Sequence, residues 1–333
     1  MHKRNIGVLE VSEIGLGCMG FSHGYGKIPD EKYSIEAIAQ ALDYGCDFLD
    51  TAEVYGPNLL PENLGHNERI VGKAVKGRRN SLILASKFFL HSEEIKNNSI
   101  YNVIKSHLES SLKRLGTDYI DLYYLHRINP QIPVEEIALS FSRLIDEGLV
   151  RGYGLSQVGT DIIRRANDVA KLTAVQNLYN MFERDIETEV IPFCMENNIG
   201  IVAFSPTSSG LLSGKITKET IFEKEDDVRN FVPQLKKGNL EANKPVIDFI
   251  IDFAAKKNIA PVQLSLAWMI KKYPNVVPIP GSKNKERIIQ NLKTSEVQLT
   301  DEDVSRIDSQ LAKFSIYGHR GFEEDTNTKF IKN

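Results

Sequence analysis

Asp47-Phe-Leu-Asp50-Thr-Ala-Glu53-Val-Tyr55-Gly56 reads as a short buried strand, Asp47 to Asp50, that breaks into a loop carrying a carboxylate and then a phenol. Alone it is ambiguous, since an acid after a strand is usually a cap and a loop Tyr usually a surface aromatic. Two later strands change the reading. Ser81-Leu-Ile-Leu-Ala-Ser86 runs into Lys87, and Ile120-Asp-Leu-Tyr-Tyr-Leu125 runs into His126. Three successive strands that deliver Asp with Tyr, then Lys, then His at their C-terminal ends point to one site at the top of a parallel β/α barrel.

Outward from that core the chain alternates. Ile6 to Val11 reads as half of a hairpin closing the barrel floor, and Ile14-Gly-Leu-Gly-Cys-Met-Gly20 as a strand turning into a glycine-rich loop. The literal G-x-G-x-x-G from Gly15 to Gly20 is not taken as a dinucleotide fingerprint. That motif needs a helix to open inside it, and Gly24, Gly26 and Pro29 delay any helix to about Asp30. Helical spacing predicts helices over Tyr33 to Tyr44, Asn67 to Val75, Ser99 to Leu115, Val134 to Glu147, Thr160 to Ala170 (capped by Thr160 or Asp161) and Glu187 to Asn197. Strands are expected at Leu82 to Ser86, Ile120 to Leu125, Val150 to Leu155, Ala174 to Asn177, Gly200 to Phe204 and Val276 to Ile279. Helices Pro245 to Lys257, Pro261 to Lys272, Lys285 to Leu292 and an extra one at Asp301 to Leu311 complete the pattern. Eight strands alternating with helices favour a single-domain (β/α)8 TIM barrel, with an open doubly wound sheet as the alternative. The long loop Ser205 to Asn243 is expected to be functional. The run Glu223-Lys-Glu-Asp-Asp227 reads as a solvated surface, and the polar tail 317–333 as partly disordered.

The composition is that of a globular protein, 41% hydrophobic and 26% charged over 333 residues. A net charge of -3 argues against nucleic acid as the main partner. Cys18, Cys46 and Cys194 are scattered and odd in number, which suits neither a disulfide framework nor a metal site. The start Met1-His-Lys-Arg-Asn5 lacks a signal-like apolar run, and no run approaches a membrane span. A cytoplasmic protein is expected.

The four residues at the strand ends suggest a proton donor. A phenol titrates near ~10, too high for easy exchange at neutral pH. An ammonium at Lys87 would lower that value, Asp50 would hold the ammonium, and a neutral His126 could share the proton or bind a substrate oxygen. Protonating a carbonyl oxygen is useful when a hydride reaches its carbon, so the set asks for a nicotinamide cofactor. No Cys/His/carboxylate group has metal-ligand spacing.

From about Ile14 to Leu311 the sequence resembles the aldo-keto reductases, nearest to the bacterial and plant branch that reduces pyridoxal, aryl aldehydes and glyoxals. The resemblance is carried in order by Gly15-Leu-Gly-Cys-Met-Gly20, Leu49-Asp-Thr-Ala-Glu-Val-Tyr-Gly56, Ala85-Ser-Lys-Phe88, Asp121-Leu-Tyr-Tyr-Leu-His-Arg127, Gly152-Tyr-Gly-Leu-Ser156 and Ile279-Pro-Gly-Ser-Lys283. It implies NADPH-dependent reduction of a small-molecule carbonyl, with Asp50, Tyr55, Lys87 and His126 as the catalytic tetrad. It implies that Gly17, Cys18 and Met19 lie along the nicotinamide, that Ser156 and Gln176 bind its carboxamide and that Phe204 stacks on its ring. Ser205, Thr207, Gly210, Leu212 and Gly214 would follow the pyrophosphate. Ser282, Lys283 and Arg287 would hold the 2′-phosphate, with Gln290 and Asn291 near the adenine. Phe21, Tyr25, Phe88, Phe89 and Arg127 are the expected substrate walls.

Several positions depart from the family pattern. Gln157 stands where Asn commonly follows the carboxamide Ser, Phe204 replaces the commoner Tyr, and Asn129 interrupts His-Arg-x-Asp-Pro. The loop Asn58 to His66 is longer than usual. The 2′-phosphate assignment also has a reading from the residues: Gly281-Ser-Lys-Asn-Lys-Glu-Arg287 opens a helix with free N–H groups and cations at Lys283 and Arg287, and with Lys285 farther out. A different class of function, an NADPH-binding redox-sensing subunit with slow turnover, would use the same site. A metal-dependent hydrolase would need paired His ligands that are not evident.

Overall fold

The computed structural model describes residues 1–58, 60–222 and 227–320. An antiparallel hairpin, β1 (Lys3–Ile6) and β2 (Leu9–Ser12), turns at Gly7 with φ +55°. The expected half-hairpin at Ile6 to Val11 is therefore the turn and one arm of a complete one. Eight parallel strands follow in sequential order: β3 (Leu16–Gly17), β4 (Phe48–Asp50), β5 (Ile83–Phe88), β6 (Ile120–Leu125), β7 (Val150–Ser156), β8 (Ala174–Leu178), β9 (Gly200–Phe204) and β10 (Val276–Pro278). A parallel bridge between Gly17 of β3 and Gly281, three residues past the end of β10, closes the barrel. The open doubly wound alternative is excluded.

Alternation along each strand sorts side chains into two cores. Ile83, Ala85, Leu122, Tyr124, Val202 and Val277 fill the barrel interior, which Ile6, Leu9 and Val11 of the hairpin plug from below. The plug sits close: a Cβ on Gly200 would lie 2.3 Å from the Ile6 side chain. The outer core, which includes Leu84, Phe88, Tyr123 and Leu125, packs under the helices.

The helices are α1 (Glu31–Asp43), α2 (His66–Val75), α3 (Ile100–Leu115), α4 (Val134–Asp146), α5 (Thr160–Val169), α6 (Val190–Glu196), α7 (Lys237–Ala242), α8 (Lys244–Lys256), α9 (Pro261–Lys272), α10 (Lys285–Leu292) and α11 (Asp301–Leu311). Local chemistry sets their ends. The side chains of Asp30 and Ser99 accept from the backbone of Tyr33 and Asn102, and α3 stops at Gly116 in the left-handed region. Two expectations need correction. Helix α5 is entered through Gly159, with no side-chain cap from Thr160 or Asp161. Helix α6 starts at Val190, later than expected, because Pro192 fits only the first turn of a helix. The loop after β9 is built of short 3-10 turns, Ser208–Ser213, Val228–Phe231 and Pro233–Leu235, ahead of α7. The charged run at 223–226 and the tail beyond Arg320 lie outside the described residues. The described start of that tail is docked: Tyr317 exchanges hydrogen bonds with the Asn243 side chain, and the Arg320 N–H donates to Glu183 at 2.6 Å.

Candidate active site

Strands β4, β5 and β6 end beside one another at the top of the barrel, and their inward side chains converge. Lys87 is fully buried, with Nζ donating to Asp50 Oδ1 at 2.5 Å and to the Thr51 carbonyl at 2.8 Å. Its third contact is the Tyr55 hydroxyl at 3.4 Å. The second Asp50 oxygen accepts from Gln176 Nε2 at 2.7 Å. The His126 ring meets Tyr55 edge-on, with centroids 5.8 Å apart at 80°, and is backed by Phe89 at 4.6 Å. His126 Nδ1 is buried with no partner among the described residues, so no protein group fixes the tautomer.

Burial dominates the electrostatics. It pushes the Asp50 carboxyl up, against Lys87 and Gln176. On Lys87 burial pulls the ammonium down, but Asp50 and Tyr55 together raise it above its ordinary value. The two directions pull apart, and the short bridge with Gln176 on the second carboxylate oxygen favours the charged pair. Burial, with Lys87 and Arg127 nearby, drives His126 well below the usual imidazole value, so the ring is neutral. For Tyr55 the expectation needs correction: burial raises the phenol and outweighs the lowering by Lys87. The phenol is therefore held protonated, in the form that can donate.

The remaining site expectations divide. Phe21 and Phe88 are not wall residues; both are fully buried in the outer core. Alternation explains Phe88, since an inward Lys87 sends its neighbour outward onto Tyr123, centroids 4.9 Å apart. Phe89 is the half-buried aromatic at the site. Exposed Arg127 arches over the strand ends, donating to the His126 carbonyl at 2.7 Å and to Ser156 Oγ at 3.0 Å, with its guanidinium 5.9 Å from the Phe204 ring. Tyr25 lies farther along the rim, 3.5 Å from Ser209 Oγ. Glu53, the carboxylate of the Tyr55 loop, turns away to Arg114. Asn129 ties two rim loops, donating to Ser92 at 2.9 Å and accepting from the Gln131 N–H.

Where β3 meets the segment after β10, Gly17 approaches the Ile279 carbonyl so closely that a Cβ would sit 2.8 Å from it. Cys18 is buried, with its N–H on the Asp50 carbonyl and its own carbonyl accepting from Asn67, so only half-buried Met19 offers a side chain there. Gln157 has φ +58° and gives its side-chain oxygen to the Leu178 N–H. Phe204 is half-buried at the end of β9. The loop past it holds Ser205, Ser208, Ser209, Gly210 and Gly214 at positive φ, with the amides of Gly210 and Leu212 turned back to Thr207. At the opening of α10 the N–H of Arg287 is taken by Asn284 and that of Asn284 by Ser282 Oγ, so this helix end is less free than expected. Lys283 is drawn to the carbonyls of Tyr25 and Lys27, and Lys285 to Glu36. The Arg287 guanidinium is exposed and has no partner among the described residues. Asn291 is buried and Gln290 exposed on the same helix. Two features were not anticipated from sequence: Gln176 binds Asp50, and Val228 N–H bonds the Gly24 carbonyl, tying the loop after β9 to the loop after β3.

Comparison with known proteins agrees with the barrel fold. The family model "Aldo/keto reductase family" matches residues 13–312. A probable aldo-keto reductase 1 of Glycine max is 37% identical over 302 residues, covering 90% of this chain and 85% of that protein. The glycerol dehydrogenase of Gluconobacter oxydans superposes with a TM-score of 0.82 at 29% identity, covering 94% of this chain and 95% of that one. A Klebsiella pneumoniae aldo-keto reductase, solved with NADPH, gives 0.72 at 26% identity over 93% and 96%. The chain belongs to the aldo/keto reductase family of oxidoreductases.

Proposed function

We propose that the chain is one catalytic domain that reduces small aldehydes or ketones with NADPH, with Tyr55 delivering the proton. The observation that carries this reading is Lys87 Nζ, which bridges the Asp50 carboxylate and the Tyr55 hydroxyl at the mouth of the barrel. A half-buried phenol whose proton is retained, next to a fixed cation and a neutral imidazole, is a general acid poised for a developing alkoxide. As Tyr55 gives up its proton, Lys87 stabilises the phenolate, and Asp50 with Gln176 keeps Lys87 in place. His126 supplies a neutral ring edge beside the same hydroxyl.

The residues present suit NADPH. Phe204 offers a half-exposed ring at the end of β9, and Arg287 offers an exposed cation at the opening of α10. When bound, this cofactor supplies the hydride to the carbonyl carbon. The test is NADPH oxidation across a panel of aldehydes, ketones and pyridoxal. Turnover on at least one of these supports the reading. Tight NADPH binding with only trace single-turnover oxidation would favour a redox-sensing subunit instead.

A further inference from the structure

Behind Tyr55 lies a chain of charges that the chemistry above does not use. Glu53, two residues before Tyr55, is 5% exposed and accepts from Arg114 Nη2 at 2.8 Å and from His107 Nδ1 at 2.7 Å. Arg114 Nε reaches Glu68 at 2.5 Å, and Glu68 in turn accepts from Ser86, the neighbour of Lys87. The other His107 nitrogen, Nε2, lies 2.9 Å from Glu94. The second Glu94 oxygen accepts from the His91 N–H at 2.8 Å, which fixes the turn just after Phe89. One imidazole on α3 thus spans two loops at the barrel mouth.

We propose that His107 is a positioning residue for the reaction, whose imidazolium, donating to Glu53 and to Glu94, ties the Tyr55 loop to the Phe89 loop and holds the phenol against the His126 ring that Phe89 backs. This rests on Tyr55 being the proton donor. Both ring nitrogens face carboxylates, and a neutral imidazole has only one N–H, so the bridge is complete only when His107 is protonated. Glu53 and Glu94 hold it above its ordinary value although burial works the other way. The Phe88 ring on β5 packs against the imidazole, and the other groups around its partner Glu53 are Arg114 and Ser111 on α3, Glu68 on α2 and Tyr123 on β6. Among the described residues, only the two carboxylates touch the imidazole nitrogens. Loss of the proton breaks one of the two ties and loosens the phenol. Tyr55 is raised from ~10 and His126 lies well below ~6.5, so an ionisation between those values belongs to neither.

Two readouts test this. The first is an NMR titration of the His107 ring in the cofactor-free protein. The second is the single-turnover rate of bound NADPH with a reactive aryl aldehyde, measured across about pH 6–9, where imidazoles titrate. The rate is expected to fall at high pH with the midpoint of the ring titration. Glu94→Gln, on a surface loop outside the buried Arg114 pairs, should move both midpoints down together. His107→Ala should lack the alkaline limb and run roughly 10- to 100-fold slower at neutral pH with NADPH affinity unchanged. A ring midpoint at or below that of free imidazole, an alkaline limb unmoved in Glu94→Gln, or rate and NADPH affinity falling together in His107→Ala would each overturn the proposal. Tyr55→Phe as fast as wild type would instead remove the proton donor on which it stands.

Discussion

At the residue scale, polarity and position decide what each side chain can do. Asp50, Lys87 and His126 were legible in the sequence as candidates because each is a polar group at the end of an apolar strand, and Tyr55 because it follows in the loop after one, where packing does not call for it. The net direction of the Tyr55 shift was not legible, because sequence names the neighbouring cation but not the depth of burial that outweighs it. Likewise Gln176 gave no sign of its bond to Asp50, which joins residues 126 apart. All three cysteines are buried, and burial holds their thiols protonated: it raises Cys46 to about 11 and Cys194 to about 12, and raises Cys18 as well. Arg287 is different, since its guanidinium is exposed while Lys283 and Lys285 are drawn to other groups. If it reads the 2′-phosphate, its loss removes a charge-assisted contact of on the order of 1.5–3 kcal/mol. Arg287→Ala should then weaken NADPH by roughly 10- to 150-fold and leave NADH affinity almost unchanged in a cofactor fluorescence titration. Equal losses for both cofactors would deny it that role.

At the element scale, periodicity located the strands and helices, and their ends followed caps where caps were present. Strand β6 and helices α9, α10 and α11 have the expected bounds. The misses have local causes: Pro192 delays α6, and Gly159 rather than a hydroxyl or acid precedes α5. Phe88 was misplaced although the period of two that sends Lys87 inward sends it outward. Close approaches between elements were not legible either, because a glycine in a helix does not announce what it faces. Gly72 on α2 is one such contact: a Cβ there would lie 2.6 Å from the Leu115 carbonyl, at the end of α3. Ala has the better helix propensity by about 1 kcal/mol, but backbone cannot yield as a side chain does. Gly72→Ala should therefore destabilise by roughly 1–3 kcal/mol in urea unfolding. A stabilised variant would show that α2 and α3 separate freely.

At the scale of the whole molecule, the eight-strand alternation foretold the barrel, while its closure through Gly17 and Gly281 and the hairpin plug emerge only in three dimensions. The buried charge network also has a global consequence. Burial works to raise Glu53, yet His107 and Arg114 hold it below its ordinary value, whereas His107 is held above its own. Glu53 therefore contributes stability above the unfolded carboxyl value of ~4.3, which is lost as pH falls through its lower folded value. The His107 contribution is full below the unfolded value of ~6.5 and is lost as pH rises through its higher folded value. The two overlap between about pH 4.3 and 6.5, so the urea midpoint should fall on the alkaline side in wild type and fall less in His107→Ala. Parallel curves would assign the slope to other groups. The account as a whole turns on the Tyr55 proton, and Tyr55→Phe tests it most directly, by single-turnover oxidation of bound NADPH with a reactive aldehyde. General acid catalysis is typically worth ~10²–10⁴-fold, so the variant should bind NADPH nearly as wild type and lose at least that much rate. A Tyr55→Phe protein that keeps more than about a tenth of the wild-type rate, with chemistry still limiting, would contradict it.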